Sequence, residues 1–132
     1  MRAFLFVSLV LAAFTGRAIA HHGFGAEFDN KKPISMTGTV SKVEWTNPHV
    51  HIYVDSKGED GTIATWQFEL GSPSNLMREG WTRDSLKPGG TVSVEGFSAK
   101  DGTNAGLAKT VTVNGKKMLA GAPPAAFAGP VK

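Results

Sequence analysis

Short runs rich in Val, Ile and Thr, each closed by Gly, Pro or Asn, recur through most of the chain. That rhythm restricts the fold to a small β architecture. Ile34 to Trp45 is the first run; Gly38 inside it predicts a long strand with a bend or bulge between Gly38 and Lys42. Thr46-Asn47-Pro48 is a turn signal. From His49 to Asp55 the residues alternate, with Val50, Ile52 and Val54 facing one way and His49, His51 and Tyr53 the other. Residues 56–61 (SKGEDG) form a hairpin loop, and Ile63 to Leu70 is the next strand, with Ala64, Trp66, Phe68 and Leu70 as its apolar face.

The pattern changes at Ser72. Ser72 suits a helix N-cap, Pro73 the first helical position and Gly80 the stop, which predicts a short helix. Lys87-Pro88-Gly89-Gly90 turns the chain into a strand over Thr91 to Phe97. A loop at 100–104 precedes the strand Leu107 to Val113, and Asn114-Gly115 is a hairpin signal after which Lys116 to Leu119 pairs back. Strand, strand, strand, short helix, strand, strand is the order of a five-stranded Greek-key OB-like barrel. The alternative architecture is a small β-sandwich. The expected core is Met36, Val40, Val43, Val50, Ile52, Val54, Trp66, Phe68, Leu70, Leu76, Val92, Val94, Val111 and Val113, with Trp81 plugging the end beneath the helix.

The 132 residues fit one domain. Met1-Arg2, the apolar run Ala3 to Thr15 and the small-x-small triplet Ala18-Ile19-Ala20 read as a signal peptide over residues 1–20, cut after Ala20 or after Ala18. The expected organisation is that segment, an arm over 21–33, the barrel over 34–119 and a disordered tail over 120–132. The expected location is the periplasm or the medium, with no stable membrane span. The chain has no Cys, so disulfides and thiolate metal sites are excluded and packing alone must stabilise an exported domain. Removing Arg2 and Arg17 lowers the net charge from +3 to +1. Lys and Arg are scattered with no basic stripe, which predicts that nucleic acid is not a partner. The P-loop, the nucleophile elbow and the zinc-protease helix motif are all missing, and the acids are dispersed, which argues against a conventional enzyme.

All four His fall in two pairs, His21-His22 and His49-x-His51. Residues two apart on a strand project from one face roughly 6–7 Å apart, a separation at which two imidazoles can meet one ion. Cutting after Ala20 would make His21 the first residue, and its α-amine, with a pKa of about 7.7–8.0, would join its imidazole as a nitrogen donor. Amine and imidazole with a third imidazole form a histidine brace, a tetragonal nitrogen field that favours copper. The metal candidates are therefore His21, His22, His49 and His51, with copper as the expected cofactor. The role would be storage, delivery or sensing; a copper redox enzyme ranks last. From the next strand Glu69 or Gln67 could add a neighbouring oxygen ligand, and Asn47-Pro48 could orient His49. The alternative is a metal-free module that binds a small molecule, glycan or periplasmic protein through Trp45, Tyr53 and Gln67, so the ligand-binding candidates are Trp45, Asn47, Tyr53, Gln67 and Glu69.

Four segments together resemble a widespread family of small exported bacterial proteins of unknown function. They are His21-His22-Gly-Phe-x-Ala-Glu-Phe-Asp, Gly38-Thr-Val-x-Lys-Val-Glu-Trp-Thr-Asn-Pro-His49, Phe68-Glu-Leu-Gly-Ser-Pro and Gly80-Trp-Thr-Arg-x-Ser-Leu-Lys-Pro-Gly. The resemblance covers His21 to Leu119. It implies an exported, barrel-like domain and brings no activity. The family often has another residue where His51 stands, which makes His21, His22 and His49 the leading ligands.

Overall fold

The computed structural model describes residues 27–122. Six strands and one short helix follow in order: β1 (Phe28–Glu44), β2 (His51–Lys57), β3 (Ile63–Glu69), α1 (Pro73–Arg78), β4 (Thr91–Ala99), β5 (Ala105–Val113) and β6 (Lys116–Leu119). The strands form a mostly antiparallel sheet in the order β3-β2-β1-β4-β5-β6, and β3 also pairs in parallel with β5. β3 is thus bonded to β2 on one side and to β5 on the other, through Gln67, Phe68 and Glu69 against Ala105, Gly106 and Leu107.

β1 is long because it serves two partners. Its first part pairs with β4 and its last part with β2, and the register slips between Val40 and Lys42, where the sequence predicted a bulge. The strand begins earlier than expected. Phe28 pairs with Ala99 and Pro33 with Phe97, so part of the expected arm is strand. FDNKKP carries no apolar alternation; β4 supplies the pairing, and periodicity cannot register that.

Local chemistry accounts for α1. The Ser72 side chain accepts from the Asn75 N–H at 3.2 Å, Pro73 opens the helix, and Gly80 follows with φ +92°. Asn114 and Gly115, both at positive φ, make the tight turn that lets β6 pair with β5.

Val40, Val50, Ile52, Val54, Phe68, Leu70, Leu76, Val92, Val94 and Val111 are buried as expected. Met36, Val43, Trp66 and Val113 are only partly buried and pack against that core, Trp66 stacking on Phe68. Leu86, Leu107, Ala108, Met118 and Ala120 are also buried, beyond the expected core. Trp81 is 2% exposed, and its indole N–H donates to the Leu119 carbonyl at 2.8 Å, tying the segment after α1 to the end of β6.

Gly96 sets the spacing of β4 and β5. A Cβ there would overlap the Leu107 carbonyl oxygen and lie 2.9 Å from its carbon and 3.1 Å from Ala108 Cα. Only a residue without a side chain admits so close an approach.

Candidate functional site

β2 and β3 build the site. Alternation puts His51 and Tyr53 on the face opposite Ile52 and Val54, and Gln67 and Glu69 opposite Phe68. Cross-strand register then sets His51 against Glu69 and Tyr53 against Gln67. Beyond the strand ends the Leu70 N–H donates to the Val50 carbonyl at 2.8 Å, and the Val50 N–H to the Gly71 carbonyl at 3.0 Å. This continued pairing holds His49 beside Glu69, and His49 Nδ1 lies 2.6 Å from Glu69 Oε1.

The Glu69 side chain is only 13% exposed. Burial lifts its carboxyl above the ordinary carboxylate range; the His49 and His51 charges oppose that and the Glu27 charge reinforces it. Glu69 and His51 stand in the wall of a cleft of about 440 Å³, with Gln67 beside them. Glu27 and Phe28 form a second wall, and the β4–β5 turn, through Lys100, Asp101 and Thr103, a third. The turn is braced at both ends. The Lys100 N–H donates to the Glu27 carbonyl at 2.9 Å, and Asp101 accepts from the Thr103 hydroxyl at 2.6 Å and its N–H at 3.0 Å. Those hydrogen bonds lower the Asp101 carboxyl from its usual value.

The sequence-predicted site residues divide into groups. Gln67, Glu69 and His51 meet at the cleft, with His49 bonded to Glu69. Tyr53 shares their face but joins another cluster: its hydroxyl donates to Glu44 at 3.4 Å, and Lys42 Nζ sits 5.3 Å from the ring centre while bonding Glu44 at 2.6 Å. Trp45 is half-buried and packs against the core. Asn47 is exposed in the turn, joined to Pro48 by a cis peptide. His21 and His22 lie outside the described residues. Among the described residues, no three His, Asp or Glu side chains gather closely enough to hold a metal ion.

Sequence reasoning missed Lys100 and Asp101, because residues 100–104 read as an ordinary loop. Glu27, with Asp29, reads in the sequence as a solvated charge, or else as a partner for Lys31 or Lys32 or an outer acceptor for His. β4 and β5 both extend past their expected shared ends, to Ala99 and from Ala105, and this carries the turn up to Glu27.

Comparison with known proteins gives three findings. No curated protein matches the chain in sequence. A crystal structure of Rim1, a mitochondrial single-stranded DNA-binding protein from S. cerevisiae, is similar in fold, with a TM-score of 0.50 at 16% identity over 63% of this chain and 94% of that one. A selenomethionine-labelled structure of that protein aligns at 0.47 and 13% identity, over 63% and 93%. The described domain is therefore β-rich and OB-fold-like.

The likeness corrects one expectation. Nucleic acid was ruled out as a partner because the chain lacks a basic stripe, yet a fold of this kind belongs to a single-stranded DNA-binding protein. Such proteins combine base stacking with charge, and charges scattered along a chain can gather in space. The exclusion therefore does not stand. The third finding is the family itself: residues 9–115 match its model, and the chain belongs to a family of unknown function, DUF6152.

Proposed function

We propose that the chain is an exported binding module that holds a transition-metal ion, copper by its donor set, where His49 and His51 meet the N-terminal pair His21 and His22. The observation that carries this reading is Glu27 in the wall of the cleft beside His51 and Glu69. His22 stands five positions before Glu27 in the sequence, and five extended residue steps span at most about 17 Å. Because the described side chains do not complete a metal site among themselves, the N-terminal donors are required by the reading. Nitrogen from imidazoles and a free α-amine suits copper.

In this reading residues 1–20 direct export and are removed after Ala20, and the sheet is a five-stranded Greek-key barrel with β6 appended. The parallel β3–β5 pairing supports closure, because it gives β3 a partner on each side. A second reading is favoured by the cleft itself. Its volume of about 440 Å³ and its mixed lining suit a small polar molecule bound without metal.

Native mass spectrometry of the protein recovered from its export compartment tests the proposal. A chain beginning at His21 with one copper, lost in the His49→Ala/His51→Ala variant, is the expected result. A chain that stays metal-free after copper is supplied overturns the metal reading. A labelled single-stranded oligonucleotide titrated in parallel tests the remaining possibility; saturable binding unaffected by copper moves the function to nucleic acid.

A further inference from the structure

We infer that the N-terminal half of β1 is a pairing edge for a second copy of this chain, joined antiparallel about a twofold axis at Ser35. The inference is independent of the metal reading and goes beyond it. β1 meets β4 between Phe28 and Thr39, but β2 joins its other edge only from Thr39 onward. Among the described residues, no strand pairs with that other edge between Pro33 and Gly38. Backbone direction alternates along a strand, so the register says which groups face it. The Val40 N–H donates to the Gly90 carbonyl at 2.8 Å, on the β4 side. Gly38, Met36 and Ile34 therefore bond β4, while the N–H and C=O groups of Ser35 and Thr37, with the Pro33 carbonyl, point to the open edge. Pro33 costs the sheet nothing there, since its missing N–H lies on the open side.

These groups complement themselves. With the axis at Ser35, Ser35 exchanges both backbone bonds with the partner's Ser35, and each copy's Thr37 N–H reaches the other's Pro33 carbonyl. Moving the axis to Met36 would set the partner's Pro33 against Thr39, whose edge β2 already fills through Asp55. The Ser35 register also places Ile34 beside the partner's Met36, in the closer, non-bonded kind of pair. Ile34 and Met36 pack against the core yet stay only half-buried, and a partner strand covers both. No charged residue lies between Pro33 and Ser41, so no like charges meet across the pair. Lys31, Lys32 and Pro33 are residues of the kind that blunt a sheet edge, but they stand at one end and leave Ser35 and Thr37 unguarded. The contact is the same patch on both copies, so it closes as a dimer and does not propagate.

Sedimentation equilibrium of the full processed chain, with amide hydrogen exchange on the same samples, tests the inference. The expected result is a monomer–dimer equilibrium in which the Ser35 and Thr37 amides are protected in the dimer and exchange freely once dilution gives monomer. Ser35→Pro removes the central N–H without touching a bond to β4, and is expected to weaken the dimer about 10- to 100-fold. A chain that stays monomeric up to about 1 mM overturns the inference. So does a dimer that Ser35→Pro leaves unchanged, or one in which the two amides are unprotected. Amides already protected in the monomer overturn it as well, because a segment of the same chain then covers the edge. If Ser35→Pro does not fold, the concentration dependence of the native amides decides alone.

Discussion

Replacing Gly96 with Ala tests the packing that holds the cleft wall in place. The new methyl would overlap the Leu107 carbonyl oxygen and sit 2.9 Å from its carbon and 3.1 Å from Ala108 Cα. All three atoms are backbone, so no side-chain rotation relieves the overlap, and β5 must move away from β4. Forced overpacking of this kind costs about 1–3 kcal/mol. The ladder bonds around the Gly96–Ala108 and Phe97–Leu107 pairs weaken with it, each bond being worth about 0.5–1.5 kcal/mol net. With one bond weakened at each of the two pairs, these give about 2–6 kcal/mol, a large share of the roughly 5–15 kcal/mol that stabilises a small domain. Leu107 is also the register partner of Glu69, so the displacement reaches the cleft. Urea unfolding followed by circular dichroism measures the loss. Gly80→Ala is the control: Gly80 has φ +92° and no atom within 4 Å of an added Cβ, so only the backbone strain of about 1–2 kcal/mol applies. If Gly96→Ala costs under about 1 kcal/mol, or no more than Gly80→Ala, the steric argument is wrong.

Two further perturbations probe other parts of the fold. Trp81→Phe keeps an aromatic ring but removes the N–H that bonds the Leu119 carbonyl, and should cost about 1–3 kcal/mol in the same unfolding assay; a change within a few tenths would show that this bond does not anchor β6. The Glu95 carboxyl is lowered from its usual 4.5, first by the hydrogen bond from Lys117 and then by that from Thr110. A depressed carboxylate stabilises the fold above its ordinary pKa, and that contribution disappears as pH falls through the lowered value. Carboxyl NMR should find Glu95 titrating below the usual range, and Lys117→Met should move it upward; no movement would mean that Lys117 is not the main cause.

The elements legible in the sequence are those whose signals are local. Val50, Ile52 and Val54 alternate with His49, His51 and Tyr53, so a strand with its two faces follows from period two alone. Ser72, Pro73 and Gly80 mark a helix because capping and φ preferences act within a few residues. The bulge before Lys42 and the Asn114-Gly115 turn were legible for the same reason.

Half of the candidate site was readable in this way: His49, His51, Gln67 and Glu69 all face outward by alternation. Their partners were not. That Glu69 bonds His49 and stands opposite His51 depends on the register of β2 against β3. That Glu27 shares a cleft with Lys100 and Asp101 depends on β1 pairing with β4 from Phe28 onward. Trp45 shows the same limit: the sequence offers an aromatic residue beside a turn, and only packing turns it toward the core. Periodicity reports which face a residue occupies. What stands across from that face is decided by hydrogen bonds between segments distant in the chain, and those exist only once the sheet has formed.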